Sequence, residues 1–146
     1  MKDSLQQVHL KKVVPSPTGC ALFLGNEVKN FVIYIGPNEG ASILMISEGV
    51  KNVRPLTYDL IRNVFLGLGV TVQKVIINDL VDNTFYARLF LQEQNELGKK
   101  LIEIDARPSD CVAIALQHKA KIYVTNKIFD MLEDVTGFLD RDDSVS

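Results

Sequence analysis

A strand pattern passes directly into a helix pattern at residues 103–110, with no loop between the two. Glu103 and Asp105 alternate with isoleucines, and because successive strand residues point to opposite faces, the two acids share one face. Pro108 then suits the first position of a helix. The junction predicts a β-strand whose end leads straight into an α-helix, with a dense cluster of charge at the turn.

The chemistry of this junction has two interpretations. Ser109 and Asp110 fall in the first helical turn, where unpaired N–H groups and the helix dipole favour negative charge, and Arg107 precedes them. Such a turn can bind an anion or a metal ion. Alternatively, Ser109 and Asp110 cap the helix and Arg107 pairs with a neighbouring acid.

A second junction, RPLTYD at residues 54–59, repeats the order of Arg-Pro, hydroxyl and aspartate before an apolar helix. Thr57 is predicted to be the N-cap of this helix, with Asp59 in its first turn. Two arginines beside two helix N-termini, Arg54 and Arg107, suit phosphate recognition. Capping alone would also explain either junction.

Periodicity and turn residues predict a single compact α+β domain with a mixed, mostly antiparallel sheet and about four interleaved helices. The predicted strands lie near residues 5–14, 20–25, 31–36, 70–79, 84–92, 100–105 and 121–125. Asp82 and Asn83 are predicted to form the turn of a hairpin between the strands near 70–79 and 84–92. The predicted helices lie near residues 37–47, 57–68, 108–118 and 126–133. We assign residues 1–130 to the domain and residues 131–146 to an acidic, partly disordered tail.

The charge balance argues against a dedicated high-affinity DNA-binding domain, since the chain carries a formal charge of −2. Six of the 18 acids and one of the 16 bases fall in residues 130–146, which leaves 12 acids and 15 bases, or +3, in residues 1–129. A mildly basic body is compatible with transient contact with nucleic acid. With no long apolar run and no apolar signal region, we expect a cytoplasmic protein that does not enter a membrane.

Several catalytic chemistries lack the residues that they require. Only His9 and His118 are present, so a Ser-His-Asp or Cys-His arrangement is not expected. The glycines near residue 36 match neither a P-loop nor a dinucleotide fingerprint, so no nucleotide cofactor is expected. Cys20 and Cys111 lie among apolar neighbours and are predicted to be buried thiols. Of the chemistries considered, the one whose residues are present is that of carboxylates holding a divalent cation, Mg²⁺ or Mn²⁺.

Four segments together resemble the bifunctional nuclease domain family. They are IGPNEG at 35–40, RPLTYDL at 54–60, DNTFYA at 82–87 and IDARPSDCVAIAL at 104–116, in the family's order and spacing, and the resemblance covers residues 5 to about 130. It implies a compact bacterial α+β domain, also found in plants, for some of whose members cleavage of RNA and DNA has been described. It also implies histidine in many relatives where this chain has Tyr58.

Our leading hypothesis is a divalent-metal-dependent nuclease acting on RNA or DNA. In it the cation is held by Glu103 and Asp105, with Asp110 as a third ligand and Glu39 as a further candidate. The predicted catalytic residues are Arg54, Asp59, Asp105, Arg107 and Asp110, and the predicted anion-binding residues are Arg54, Thr57, Arg107 and Ser109. Glu39 and Asp59 are alternatives for a second metal site or a general base.

Two rival interpretations use the same residues. A noncatalytic binding or regulatory module would recognise an anionic ligand or an acidic partner segment through the Arg-Pro junctions. A purely structural role would pair Arg54 with Asp59 and Arg107 with Asp110 to fix loop geometry. We also expect a homo-oligomer, because the strands near 5–14 and 31–36 are apolar enough to pair or pack further.

Overall fold

The computed structural model describes residues 4–140 and confirms the predicted α+β class. A single seven-stranded sheet and five helices form one compact body over these residues. The strands are β1 (Leu5–Ser16), β2 (Gly19–Gly25), β3 (Asn30–Ile35), β4 (Val70–Val81), β5 (Thr84–Asn95), β6 (Gly98–Ala106) and β7 (Lys121–Thr125). The helices are α1 (Pro37–Ser47), α2 (Thr57–Leu68), α3 (Pro108–His118), α4 (Asn126–Met131) and α5 (Thr136–Asp140).

The sheet order is β3-β2-β1-β7-β4-β5-β6, and every pair is antiparallel except β4 and β7. The predicted hairpin between β4 and β5 is present, and its turn residues Asp82 and Asn83 have φ values of 51° and 64°. Aspartate and asparagine tolerate this left-handed backbone better than most residues, which is why the turn occurs here.

One face of the sheet packs against α1, α3 and α4. Alternate residues of the central strands, such as Val75 and Ile77 of β4 and Leu89 of β5, are buried on this inner face. Helix α3 contributes five consecutive buried residues, Cys111–Ala115, because it lies across the middle of the sheet. We call the opposite side of the sheet the outer face. It carries the intervening residues of the strands, such as Arg88 and Phe90 of β5.

Helix α1 approaches β2 closely at Gly40, where a Cβ atom would lie 2.4 Å from Cys20 Cβ and 2.5 Å from Cys20 Sγ. Only glycine allows this separation. The apolar sequence of α1 leaves it little polar face and so predicts a buried helix, but only Gly40 and Ile43 are fully buried. Both cysteines are buried free thiols, as expected.

Helix α2 is attached to the body more loosely than α1 and α3, because none of its residues is fully buried. Its N-cap is Leu56 rather than the predicted Thr57, which occupies the first helical position. The Leu56 N–H donates to Asp59 Oδ2 at 2.9 Å, so the carboxylate in the first turn satisfies the backbone N–H of the N-cap residue. The helix ends at Gly69, whose φ of 69° closes it in the left-handed conformation.

The predicted boundary at residue 130 falls inside α4, and the chain continues to pack against the body beyond it. Val135 is buried, and its N–H donates to Asn30 O at 2.8 Å. Lys29 Nζ donates to Phe129 O at 2.7 Å and to Leu132 O at 2.9 Å. Residues 141–146 of the predicted tail lie outside the described residues, so the tail itself stays a prediction.

Strand β1 is central, paired on one side with β2 and on the other with β7. Strand β7 pairs only with Leu5–Val8 and β2 only with His9–Ser16, so the expectation that the strand near residues 5–14 pairs or packs further stays a prediction. Over residues 4–140, the structure contains no helix long and apolar enough to cross a membrane.

Candidate functional site

The junction between β6 and α3 folds as the sequence predicts, with Pro108 in the first turn of the helix and Arg107 as its N-cap. The Arg107 guanidinium donates through Nε to Asp110 Oδ2 at 2.9 Å and through Nη2 to Asp110 Oδ1 at 3.1 Å. Its Nη1 donates to Glu39 Oε2 at 3.0 Å. Arg107 therefore joins the N-terminal turn of α3 to that of α1 through two carboxylates.

Tyr58 adds helix α2 to this arrangement. Its hydroxyl donates to Asp110 Oδ1 at 2.7 Å, so this carboxylate accepts hydrogen bonds from both a guanidinium and a phenol. We call Glu39, Tyr58, Arg107 and Asp110 the Arg107 cluster. The first turns of three helices meet in it.

The cluster shifts the pKa values of all four groups. Burial alone would raise the pKa of Asp110, but hydrogen bonds from Arg107 and Tyr58 outweigh it and lower that pKa. A backbone N–H and Arg107 lower the pKa of Glu39. Burial and the hydrogen bond to Asp110 raise the pKa of Tyr58, and the hydrogen bonds to Asp110 and Glu39 raise that of Arg107. At neutral pH the cluster thus holds two carboxylates, one guanidinium and a neutral phenol.

A basic groove of about 670 Å³ opens next to the cluster. It lies between the C-terminal half of α1, the loop at residues 48–56, helix α2 and the end of α3. Its charged lining residues are the four cations Lys51, Arg54, Arg62 and Lys119 and the single acid Asp59. Tyr58 also lines it and so connects the groove to the Arg107 cluster.

The one acid in the groove is already engaged. Asp59 accepts hydrogen bonds from the Leu56 N–H and from Gln117 Nε2, the latter at 2.9 Å, and lies 3.8 Å from Arg62. Among residues 4–140, Lys51 and Arg54 form no ion pair. The groove therefore presents an excess of positive charge to solvent, which suits an anionic ligand.

A smaller cavity of about 350 Å³ lies on the other side of Arg107. Its lining includes Glu39, Arg107 and Ser109 together with the aromatic residues Tyr34 and Phe85. The Arg107 side chain is 61% exposed, so a ligand in this cavity can reach the guanidinium. Ser109, by contrast, is only 4% exposed.

The structure separates the predicted metal ligands. Glu103 and Asp105 lie on the outer face of the sheet, opposite Phe90 and Arg88 of β5, and Glu103 Oε2 is 3.7 Å from Arg88 Nε. Asp110 belongs to α3, which packs on the inner face, and its carboxylate is engaged by Arg107. Residues 4–140 contain no group of three or more His, Cys, Asp or Glu side chains that could hold a metal ion. The donors present do not fit the predicted three-carboxylate site.

The other predicted site residues fall into two places. Arg54 and Asp59 line the basic groove, and Glu39, Arg107 and Ser109 line the smaller cavity. The predicted pairing of Arg107 with Asp110 is present, whereas Arg54 does not pair with Asp59 within the described part of the chain. Thr57 is exposed in the first turn of α2.

Sequence reasoning missed Tyr58 as a member of the cluster and three of the groove cations, Lys51, Arg62 and Lys119. A signal existed for Arg62, which follows Asp59 at the i, i+3 spacing of a helical ion pair. The others come from separate segments, and no local pattern places them together.

The Bifunctional nuclease domain model matches residues 22–135 of this chain. An uncharacterized protein of Mycobacterium tuberculosis is 43% identical over 96 residues, which are 66% of this chain and 54% of that protein. Bifunctional nuclease 1 of Oryza sativa subsp. japonica is 30% identical over 89 residues, 58% of this chain and 26% of that protein. The chain thus spans about half the length of the mycobacterial relative. Because the family model covers most of its sequence, the chain belongs to the bifunctional nuclease domain family.

Proposed function

We propose that this domain is a nuclease that binds the phosphodiester backbone of RNA or DNA in the basic groove and hydrolyses it beside the Arg107 cluster. The observation that carries the proposal is the groove, which sets four cations against one engaged acid. Family membership and the name of the rice relative support it. The groove's volume is in the range of sites for ligands of nucleotide size.

In this proposal Lys51 and Arg54 neutralise backbone phosphates, and the release of counterions from the nucleic acid favours binding. Both side chains are exposed and without an ion pair among residues 4–140, so no intramolecular contact has to break first. Tyr58 lines the groove, and its hydroxyl donates a hydrogen bond to Asp110 of the Arg107 cluster. A nucleic-acid strand bound in the groove would therefore lie close to the Arg107 cluster.

The cluster would supply the proton acceptor. While Arg107 holds them, Asp110 and Glu39 have lowered pKa values and are weak bases. A phosphate that binds Arg107 draws the guanidinium away, and the pKa values of both carboxylates then rise toward the operating pH. A water molecule gives its proton to one carboxylate, its oxygen attacks phosphorus, and the phosphorus–oxygen bond to the leaving group breaks. The leaving oxygen takes a proton from solvent.

Dependence on a divalent cation stays a prediction, and no step is assigned to a metal because the predicted ligands are not assembled. Cleavage assays with Mg²⁺, with Mn²⁺ and with a chelator test it directly. Activity that survives the chelator would contradict it.

One observation favours the noncatalytic alternative, in which the domain binds nucleic acid or another anion without cutting it. The Nε, Nη1 and Nη2 atoms of Arg107 all have partners within the cluster, as in a structural ion pair. The groove would bind the ligand equally well in this case, so binding and cleavage have to be measured separately.

Binding is tested with fluorescent single-stranded RNA and DNA. The double variant Lys51→Ala/Arg54→Ala should weaken binding at least tenfold at low salt. It should also reduce the slope of log K against log salt by about 1.4, since each lost contact to a single strand contributes about 0.7. The double variant Lys121→Ala/Lys127→Ala, which removes two exposed lysines outside the groove, is the matched control. An equal loss in the control would show that only net charge matters.

Cleavage is tested with Asp110→Asn, which removes one proton acceptor at nearly constant volume, against the exposed control Asp130→Asn. We expect Asp110→Asn to lose cleavage while it retains binding in the groove, with thermal melts to verify folding. If the wild-type protein binds single strands but cuts neither RNA nor DNA under any metal condition, the noncatalytic alternative holds.

A further inference from the structure

The two edges of the sheet differ in how they are protected. At the β3 edge, the N–H of Asn30 donates to Asp134 Oδ1 at 3.2 Å and its carbonyl accepts from the Val135 N–H. At the other edge, β6 pairs with β5, and no further strand among residues 4–140 pairs with it. Strand β6 is therefore open along its length, whereas the hydrogen bonds at the β3 edge within residues 4–140 reach only its first residue, Asn30.

Strand β6 carries charged side chains but lacks the other features that usually prevent an edge from pairing with another chain. It runs for nine residues, contains no proline, and pairs with β5 in one continuous register without a bulge. It also exposes large apolar side chains, with Leu101 76% and Ile104 42% exposed. Natural edges are normally shortened, bulged or covered to avoid this.

The charges of β6 are segregated by sign along the strand. Lys99 and Lys100 lie near its start, and Glu103 and Asp105 lie near its end. A second copy in parallel would place like charges opposite each other, whereas an antiparallel copy places opposite charges together. The lysines that would repel the lysines of a parallel second copy thus attract the acids of an antiparallel one.

The centre of the nine-residue strand is Ile102, which defines one full-length antiparallel register. In this register Gly98 lies opposite Ala106 and Lys99 opposite Asp105, each twice by symmetry. Lys99 and Asp105 share the outer face, because their β5 partners Gln94 and Arg88 are six residues apart. Neither forms an ion pair within residues 4–140.

Neighbouring registers that keep the faces matched are less favourable. A shift of two residues in one direction places Glu103 opposite the same residue of the second copy. A shift in the other direction places Lys99 opposite Glu103, which already lies near Arg88, and leaves Asp105 without a strand neighbour. The centred register alone combines full length with both charge pairs.

We propose that β6 is a self-association edge, at which two copies of this chain pair their β6 strands antiparallel in the register centred on Ile102. The contact is isologous, so it closes on itself as a twofold dimer with one continuous sheet through both copies. It covers Leu101 and Ile104 of each copy. The proposal does not depend on nuclease activity.

The test uses charge exchange between two variants. By sedimentation equilibrium the wild-type chain should show a mass twice 16.3 kDa. Lys99→Glu and Asp105→Lys should each raise the dimer dissociation constant at least tenfold, since each places two like-charged pairs in the homodimer. An equimolar mixture of the two should recover the dimer, because both pairs are attractive in the heterodimer. Lys127→Glu and Asp130→Lys on α4 are the controls, because they make the same charge changes away from β6 and should leave the dimer intact.

Three results would overturn the proposal. They are a wild-type protein that is monomeric at 100 µM, a dimer that both charge reversals leave intact, and a mixture of the two variants that stays monomeric. Lys99→Gln provides a milder variant should a reversal fail to fold, and it should weaken the dimer in the same direction. The wild-type dimer should also weaken with salt, which needs no substitution.

Discussion

Replacement of Tyr58 by phenylalanine removes one hydroxyl and leaves the ring in place, so it isolates the hydrogen bond between α2 and Asp110. Hydrogen bonds to charged groups contribute about 1.5–3 kcal/mol. Asp110 keeps both bonds from Arg107 and its side chain is 30% exposed, so water can take the vacant position. We therefore expect a loss of about 1 kcal/mol, or about 3 °C in melting temperature for a chain of this size.

The pH dependence of this loss follows from the two pKa shifts. The lowered pKa of Asp110 stabilises the fold above the unfolded value of about 3.9, and this contribution disappears as pH falls through the folded value. The raised pKa of Tyr58 stabilises the fold below about pH 10, and this contribution disappears as pH rises toward the folded value. The difference between wild type and variant should thus be constant from about pH 4 to 10 and shrink on both sides.

Urea melts across pH measure this difference, and Tyr34→Phe, at a tyrosine that is largely exposed, is the matched control. Hydrogen exchange gives a second measurement. Because no residue of α2 is fully buried, its amides should exchange faster in Tyr58→Phe while those of β4 stay unchanged. A difference below about 0.3 kcal/mol at pH 7, or one that persists unchanged to pH 11, would refute the reasoning.

Three further outcomes are expected. Gly40→Ala should destabilise the protein by about 1–3 kcal/mol in urea melts, because its new Cβ would overlap Cys20, whereas Gly67→Ala, in open space on α2, should be neutral or stabilising by up to about 1 kcal/mol. Lys29→Met should speed hydrogen exchange in residues 132–139, because the ammonium no longer holds the carbonyls of Phe129 and Leu132, where this segment leaves α4; unchanged exchange there would contradict this. A hydrogen bond from a threonine hydroxyl lowers the pKa of Asp134, so the advantage of wild type over Asp134→Asn should hold above about pH 4 and vanish in more acidic melts; an advantage that persists at pH 2 would contradict this.

The local sequence determined the elements and the turns between them. Alternating isoleucines and acids predicted β6, Pro108 predicted the start of α3, and Asp82-Asn83 predicted the hairpin, and all three are present. These features depend on residues a few positions apart, whose spacing matches the period of a strand or helix. The short motifs also pointed to the family that the comparison then showed.

The tertiary structure alone decided which of the charged residues meet. Arg107 binds Glu39 from 68 residues away, and Tyr58 reaches Asp110 across 52 residues, because three helix starts converge at one end of the sheet. Strand alternation correctly placed Glu103 and Asp105 on a common face, but it cannot indicate which face the helices cover. That depends on the order of the strands and on which side α3 packs, and both are set by the burial of the whole core rather than by any local pattern.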